Sequence, residues 1–513
     1  MDEFKKINRR FWSKYEFKRG GQKLLIEEAG LPMIFHLNAF FGRMLNLAKG
    51  YSPVWLNNDK YDAELAKSYI PESEPINEAG PTWWFKFYAI IVALVKFPKI
   101  FFTKNILNFY FDKVKYGDIA YDSYLYTHEV STIKTINLKL IRQMALCVYR
   151  HLKIKAILKS GNYVGVLVSH QVGIRSGVLL RVALRYGYRG YFRFCSTVLC
   201  EFKDLPEVYD YPLKPTPAEI DLIIQKLGTK LETIFQEVLN KYVTGSTNKD
   251  ALLAFSSSHK YYTDREKFNA DFGLSQNKKN IFIMLHAFTD SPHSHFKWMI
   301  FKDYYDWFIK TLQFAKGHPE FNWIFKQHPS IKFYQSRDVN FDELFKNCPK
   351  NVIYLGGENQ LNTRSLIACA DLVVTCMGSA GFEIPAIGGV PSVTAGDNFY
   401  TGLGFALEPK NKEEYLKILS QADKIEKLSP PARLRAKAAY IYILDYAIYN
   451  ISAFPILSFT EEKDKKINDW YWPRVSAAYL AHHDKIYEQI DYCVKKIQQP
   501  GFKKLTEMEE LIK

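Results

Sequence analysis

Trp323-Ile324-Phe325-Lys326-Gln327-His328-Pro329-Ser330 opens the stretch, running on to Gly404, whose reading decides the fold. An apolar run that stops at a lysine, a histidine and a proline predicts a short buried strand delivering Lys326 and His328 at its C-terminal end. A second run, Val352 to Leu355, ends in Gly356-Gly357. A helix-like segment, Leu361 to Ala370, leads to a third strand, Leu372-Val373-Val374-Thr375-Cys376. That strand ends at Met377-Gly378-Ser379-Ala380-Gly381-Phe382-Glu383, where the chain turns into a helix, and a fourth strand follows at Pro391 to Ala395. Strands alternating with helices predict a parallel sheet, whose ligands bind at the carboxyl ends of the strands. Lys326, His328 and Ser379 are therefore expected at one crevice.

Working outward, Asn280 to His286 reads as the strand that opens this domain, and the loop after it carries Asp290, His293 and His295. Three histidines, His286 included, without the surrounding pattern of a metal site give no ground for a metal. Upstream, Met33-Ile34-Phe35-His36-Leu37 reads as a buried strand, with Asn38 to Lys49 as a helix closed by Gly50, behind a polar lead-in over residues 1–30. Val164 to Val168 is a further strand, ending at Ser169-His170-Gln171. A histidine where strand gives way to helix suits a substrate pocket, or else is a satisfied structural residue. Residues 203–275 are helical, polar and rich in proline, and beyond about 412 the chain is helical to its end. The reading is α/β, with two Rossmann-like domains facing a cleft. Residues 1–205 form the first, with an insertion at about 51–111, 206–275 a helical junction, 276–412 the second domain, and 413–513 helices packing back across the junction.

With 69 Lys and Arg against 54 Asp and Glu, the net charge of +15 points to anionic partners. No basic tract and no nucleic-acid-binding signature accompanies it, which sets nucleic acid below nucleotides and membrane surfaces. Seven scattered cysteines without ligand spacing suit reduced thiols in a cytoplasm. No secretory leader is visible. Residues 83–111 interleave Trp83, Trp84, Phe87, Ile91, Phe97 and Phe102 with Lys86, Lys96, Lys99 and Lys104. Such a helix either lies in an anionic membrane interface or is a core helix with snorkelling lysines, and periodicity does not separate the two.

Lys326 and His328, two apart on a strand end, point to one side and can reach one phosphate. Gly378-Ser379-Ala380-Gly381 brings backbone N–H groups to the start of a helix, where the dipole favours an anion, with the Ser379 hydroxyl as a further donor. Glu383, one turn deeper, is placed to accept from a ribose hydroxyl or a base edge, or is an ordinary first-turn carboxylate. These motifs, together with Lys326-x-His328-Pro329, Gly389-Val390-Pro391 and Gly396-x-x-x-Tyr400-x-Gly402-x-Gly404, resemble the C-terminal half of bacterial capsule polysaccharide biosynthesis proteins. That group includes the Kdo transferases and sits among the GT-B type glycosyltransferases. The departure is at Gly378-Ser379-Ala380, where relatives often carry two hydroxyl residues.

The resemblance implies a glycosyltransferase that moves a sugar from a CMP- or UDP-linked donor to a growing cell-surface polysaccharide or lipopolysaccharide. It implies inversion without a metal or other cofactor, at the inner face of the cell membrane. Lys326, His328, Gly378, Ser379, Glu383 and Tyr400 would hold the nucleotide sugar. The base would come from the first domain, with His170, Asp118 and Asp122 as candidates. A glycan or glycolipid acceptor and an anionic membrane surface are the expected partners. The alternatives are a nucleotide-sugar epimerase and a non-catalytic scaffold of polysaccharide export.

Overall fold

The computed structural model describes residues 1–76, 82–194, 198–357, 359 and 361–506. The chain divides into two compact units. One comprises Met1–Ser123, Thr135–Pro212 and the described residues from Ala447 onward, and the other Tyr124–Lys134 with Leu213–Tyr446.

The first unit is built on a six-stranded sheet. Its strands are β1 (Lys23–Ile26), β2 (Ser52–Leu56), β3 (Pro75–Ile76), β6 (Tyr163–Val168), β7 (Arg189–Phe194) and β8 (Val198–Phe202); a two-stranded hairpin, β4 (Tyr110–Phe111) and β5 (Val114–Lys115), stands apart. The spatial order is β3-β2-β1-β6-β7-β8, parallel except for the β7–β8 pair. The first strand is not where the apolar run Met33–Leu37 placed it. That run lies inside the helix Pro32–Lys49, which is buried almost all round. Pro32 in the first turn presets a helical φ without forfeiting a hydrogen bond, and Gly50 closes the helix in the left-handed region at φ 73°. The true β1 is four residues long and lies within the polar lead-in.

Helices from both ends of the chain complete this unit. Phe4 stacks on Trp472 with centroids 4.8 Å apart, and Phe11 on Tyr487 at 4.4 Å. Both pairs belong to a core shared by Asp2–Trp12, Pro32–Lys49, Ile467–Ala481 and His483–Gln498. The C-terminal helices beyond Ala447 thus belong to the first unit.

The second unit carries β9 (Asn280–Met284), β10 (Asn322–Lys326), β11 (Val352–Leu355), β12 (Leu372–Thr375), β13 (Ser392–Thr394) and β14 (Ala406–Leu407), all parallel, in the order β11-β10-β9-β12-β13-β14. The central strands are apolar along their length because helices cover both faces. Trp307, Phe308, Trp323 and Tyr415 fill one side, and Phe268, Phe282, Ile324 and Leu355 the other. The residues between Leu213 and 275 are not a free junction. Pro217–Leu227 and Leu231–Val243 pack on Pro430–Ile441, with Lys437 paired to Glu232 and Phe235 against Tyr440 at 5.3 Å. Tyr124–Lys134 is tied to the same unit by Ser131, which donates to Asp338 at 2.8 Å, and by Lys134, 3.0 Å from that carboxylate.

Candidate functional site

In both sheets the direction of winding reverses between two central strands, β1 and β6 in the first unit and β9 and β12 in the second. Open parallel sheets bind ligands outside the carboxyl ends of such strands. In the second unit the register sets Lys326, Met284 and Thr375 level across β10, β9 and β12. Two residues further along each strand come His328, His286 and Met377. The expected meeting of Lys326, His328 and the Ser379 turn follows from that register.

Lys326 is the least compensated group there. It is 5% exposed, and its ammonium has no hydrogen-bond or ion-pair partner among the described residues. Burial lowers its pKa to about 8. His328 stands exposed at the strand end. Its Nδ1 accepts from the Ser330 backbone N–H at 3.1 Å and lies 2.7 Å from the Ser330 hydroxyl. This assigns the ring proton to Nε2, as a donor. Desolvation, then the charge of Lys326, holds His328 below the usual histidine pKa, so it is neutral at pH 7. His259, absent from the sequence reading, also feels Lys326, and its Nδ1 is buried without a hydrogen-bond partner among the described residues. Its segment is pinned by a bridge between Lys260 and Leu361 and by the Asn362 N–H donating to the Lys260 carbonyl at 2.9 Å. No local motif in Ser256-Ser257-Ser258-His259-Lys260 signals this placement.

The turn after β12 is held from below. Met377 N–H donates to His286 Nε2 at 3.0 Å, and Gly378 N–H to Thr375 Oγ1 at 3.0 Å. His286, itself stacked on Tyr304 at 4.2 Å, is kept neutral by desolvation and by His328. With those two N–H groups used, the next two, on Ser379 and Ala380, open the helix Ala380–Gly388 without an acceptor among the described residues. A helix start in this state favours an anion. Gly378 is needed here because a Cβ on it would come within 2.8 Å of Thr375 Oγ1.

Two of the residues expected around the nucleotide are placed behind this turn. Tyr400 is fully buried, and its hydroxyl donates to the Gly378 carbonyl at 2.9 Å. It braces the turn from the protein side and offers nothing to a ligand, which corrects the reading of Tyr400 as a binding residue. Glu383 is 4% exposed and accepts from Tyr242 at 3.1 Å. Desolvation raises its pKa.

In the first unit His170 is exposed just beyond β6. Desolvation, then Arg193, lowers its pKa, while Glu27 opposes the shift. Glu27, at the end of β1, is fully buried and accepts from the Ser169 N–H at 2.9 Å and from Asn38 at 3.0 Å. Beside it Arg150 pairs with Glu28, Nη2 to Oε2 at 2.6 Å. Glu27 was missed because the strand that carries it was missed. Asp118 is corrected as a base: it is fully buried, and both oxygens accept from Arg181, at 2.8 and 2.9 Å, with Tyr209 adding a third bond at 2.6 Å. Arg181 and these bonds outweigh desolvation and hold its carboxyl below the ordinary value. Asp122 is likewise buried, 3% exposed. No group of three His, Cys, Asp or Glu side chains among the described residues is placed to share an ion.

The strand orders give the chain two Rossmann-like units with helical additions, the architecture expected of a GT-B type protein. No family model and no curated protein matches the sequence. Among solved structures the chain is similar to the beta Kdo 2,4 transferase KpsC of Thermosulfurimonas dismutans, at 12% identity over 56% of this chain and 85% of that one, with a TM-score of 0.31. It is also similar to S. aureus MnaA solved with UDP, at 9% identity over 82% and 91% of the two chains, with a TM-score of 0.26. For the wall teichoic acid polymerase TagF the values are 11% identity, 95% of each chain and a TM-score of 0.22. Likenesses at this level carry no weight for substrate or mechanism.

Proposed function

We propose that the protein is an inverting, metal-independent glycosyltransferase that passes a sugar from a CMP- or UDP-linked donor to a cell-surface polysaccharide or lipopolysaccharide. The observation that carries this is Lys326, a buried ammonium without a counter-ion beside the Nε2–H of His328 and two unspent N–H groups at a helix start. A buried charge is costly unless something pairs with it. The groups converging here are all cations or donors, and a nucleotide phosphate supplies the missing negative charge. In the reaction an acceptor oxygen bonds to the anomeric carbon as that carbon's bond to the phosphate oxygen breaks. Charge developing on the departing phosphate is stabilised by Lys326, His328 and the helix start. The acceptor proton passes to a base, for which we propose His170.

Thermal unfolding of the full chain with UDP, CMP, GDP and CDP tests the donor site, because a ligand that binds only the folded state raises the melting temperature. Stabilisation by one pyrimidine nucleotide, lost in Lys326→Met, is expected. No shift with any nucleotide at saturating concentration overturns the assignment. Conversion of a free nucleotide sugar without an acceptor would point instead to an epimerase, and binding without turnover to a scaffold. Dialysis against a chelator is expected to leave transfer intact. Loss of activity restored by a divalent ion would refute metal independence.

A further inference from the structure

The helix Trp83–Thr103 does not behave as a core element. Three of its residues are buried, Ala89, Ala93 and Ile100, and they form the stripe that meets the helix Leu138–Lys159. At roughly 3.6 residues per turn, Trp84, Phe87, Ile91, Leu94, Val95 and Phe102 fall on the opposite side, and they are 40 to 81% exposed. An outward face made only of large apolar groups is far from the scattered exposed residues of an ordinary surface. The core-helix reading of this segment is thereby excluded.

Charge decides what covers this face. From Thr82 to Phe111 the sequence holds no aspartate or glutamate, while Lys86, Lys96, Lys99 and Lys104 are all exposed. On the same wheel Lys86, Lys96 and Lys99 flank the buried stripe, on the protein side of the apolar face. With the helix lying flat, its aromatic and aliphatic side chains enter the acyl boundary and the lysines stay at headgroup level. A second copy of the chain on this face would bring lysines of one sign together. Among the described residues no helix is long and apolar enough to cross a bilayer. We propose that Trp83–Thr103 is an in-plane docking helix that seats the first unit on an anionic lipid bilayer. This holds independently of the glycosyltransferase reading.

Flotation of the full chain with vesicles of phosphatidylcholine, or of phosphatidylcholine mixed with phosphatidylglycerol, tests it. Strong capture by the mixed vesicles, weaker capture by the neutral ones and partial release by salt are expected, since surface charge is screened within about 8 Å at physiological ionic strength. The triple variant Lys96→Gln, Lys99→Gln, Lys104→Gln should lose at least about tenfold in partition onto anionic vesicles and keep its weak neutral binding. The triple variant Ile91→Ser, Leu94→Ser, Phe102→Ser should lose both while melting as the parent does and responding equally to nucleotide. The wild-type measurement stands even if the serine variant misfolds. A monodisperse wild-type chain that floats with neither vesicle overturns the proposal. So does a concentration-dependent dimer abolished by the serine changes, which would assign the face to a second copy.

Discussion

A single lysine carries most of the chemistry proposed for the second unit, and its burial makes opposite demands on stability and binding. Below about pH 8 Lys326 is charged, and it loses that charge as pH rises through the same value. The unfolded chain keeps its proton until about pH 10.4, so unfolding takes up a proton between these limits. Stability from this group therefore rises with pH over that window, while affinity for a phosphate falls. Lys326→Met should flatten both profiles, raise the melting temperature of the ligand-free protein and weaken nucleotide binding at pH 7 by at least about tenfold. A variant that melts lower yet binds as well would show that the ammonium faces no ligand. His328→Ala should cut turnover by about 10²-fold, the usual effect of removing one donor to a developing oxyanion. Ser379→Ala should cost less, because the backbone N–H it offers at the helix start survives the change. Equal losses in steady-state kinetics would contradict that ranking. The positions of Lys326, His328 and Ser379 were readable from sequence, since each ends an apolar run. Their partners were not: Asp118 meets Arg181 across 63 residues, a pairing no local pattern carries.

The strands of the second unit were legible as elements because each is a short buried run punctuated by Gly, Pro or a polar turn. Met33–Leu37 misled for the same reason in reverse, as a fully buried helix shows no alternation and its first turn alone looks like a strand. Nor did composition separate an interfacial from a core helix at Trp83–Thr103, because the difference lies in which neighbours exist. At this scale Gly381 is the position most sensitive to change. A Cβ there would stand 1.9 Å from the Tyr400 hydroxyl and 2.5 Å from its Cζ, so Tyr400 could no longer reach the Gly378 carbonyl. Gly381→Ala should cost about 1–3 kcal/mol of stability, as overpacking does, and should reduce nucleotide binding because the turn it displaces is the anion-facing one. Denaturant unfolding followed with and without nucleotide measures both, and an unchanged midpoint would mean that Tyr400 can move aside freely. In the first unit Asp118→Asn leaves Arg181 buried without its anion. A loss of about 3–5 kcal/mol is expected, whereas a catalytic Asp118 would give a stable, inactive protein.

For the molecule as a whole, the chain's order and the units' composition do not coincide. The first unit is made from three segments, and the last of them contributes Phe454, Tyr471, Trp472, Tyr479, Ile486, Ile490 and Ile497 to the core that also holds Phe4, Trp12, Phe40 and Trp55. The end of the described chain adds backbone as well: Glu201 N–H donates to the Lys503 carbonyl at 2.8 Å, and Leu505 N–H to the Leu199 carbonyl at 2.9 Å, beside the edge strand β8. Burying one large apolar side chain is worth about 1.5–3 kcal/mol. Losing seven such groups is comparable to the whole of the roughly 5–15 kcal/mol by which a domain is stable. A chain ending at Tyr446 should therefore lose the first unit while keeping the second, whose strands and anion-facing groups all lie between Leu213 and Tyr446. Limited proteolysis should cut within residues 1–123 and spare 280–407. The nucleotide-dependent rise in melting should persist, because Lys326, His328 and the helix Ala380–Gly388 are intact. Resistance of residues 1–123 to protease in that shortened chain would mean that the N-terminal sheet has a sufficient core of its own and that the returning helices are ornament. Loss of the nucleotide response with the second unit still folded would place part of the phosphate site outside it.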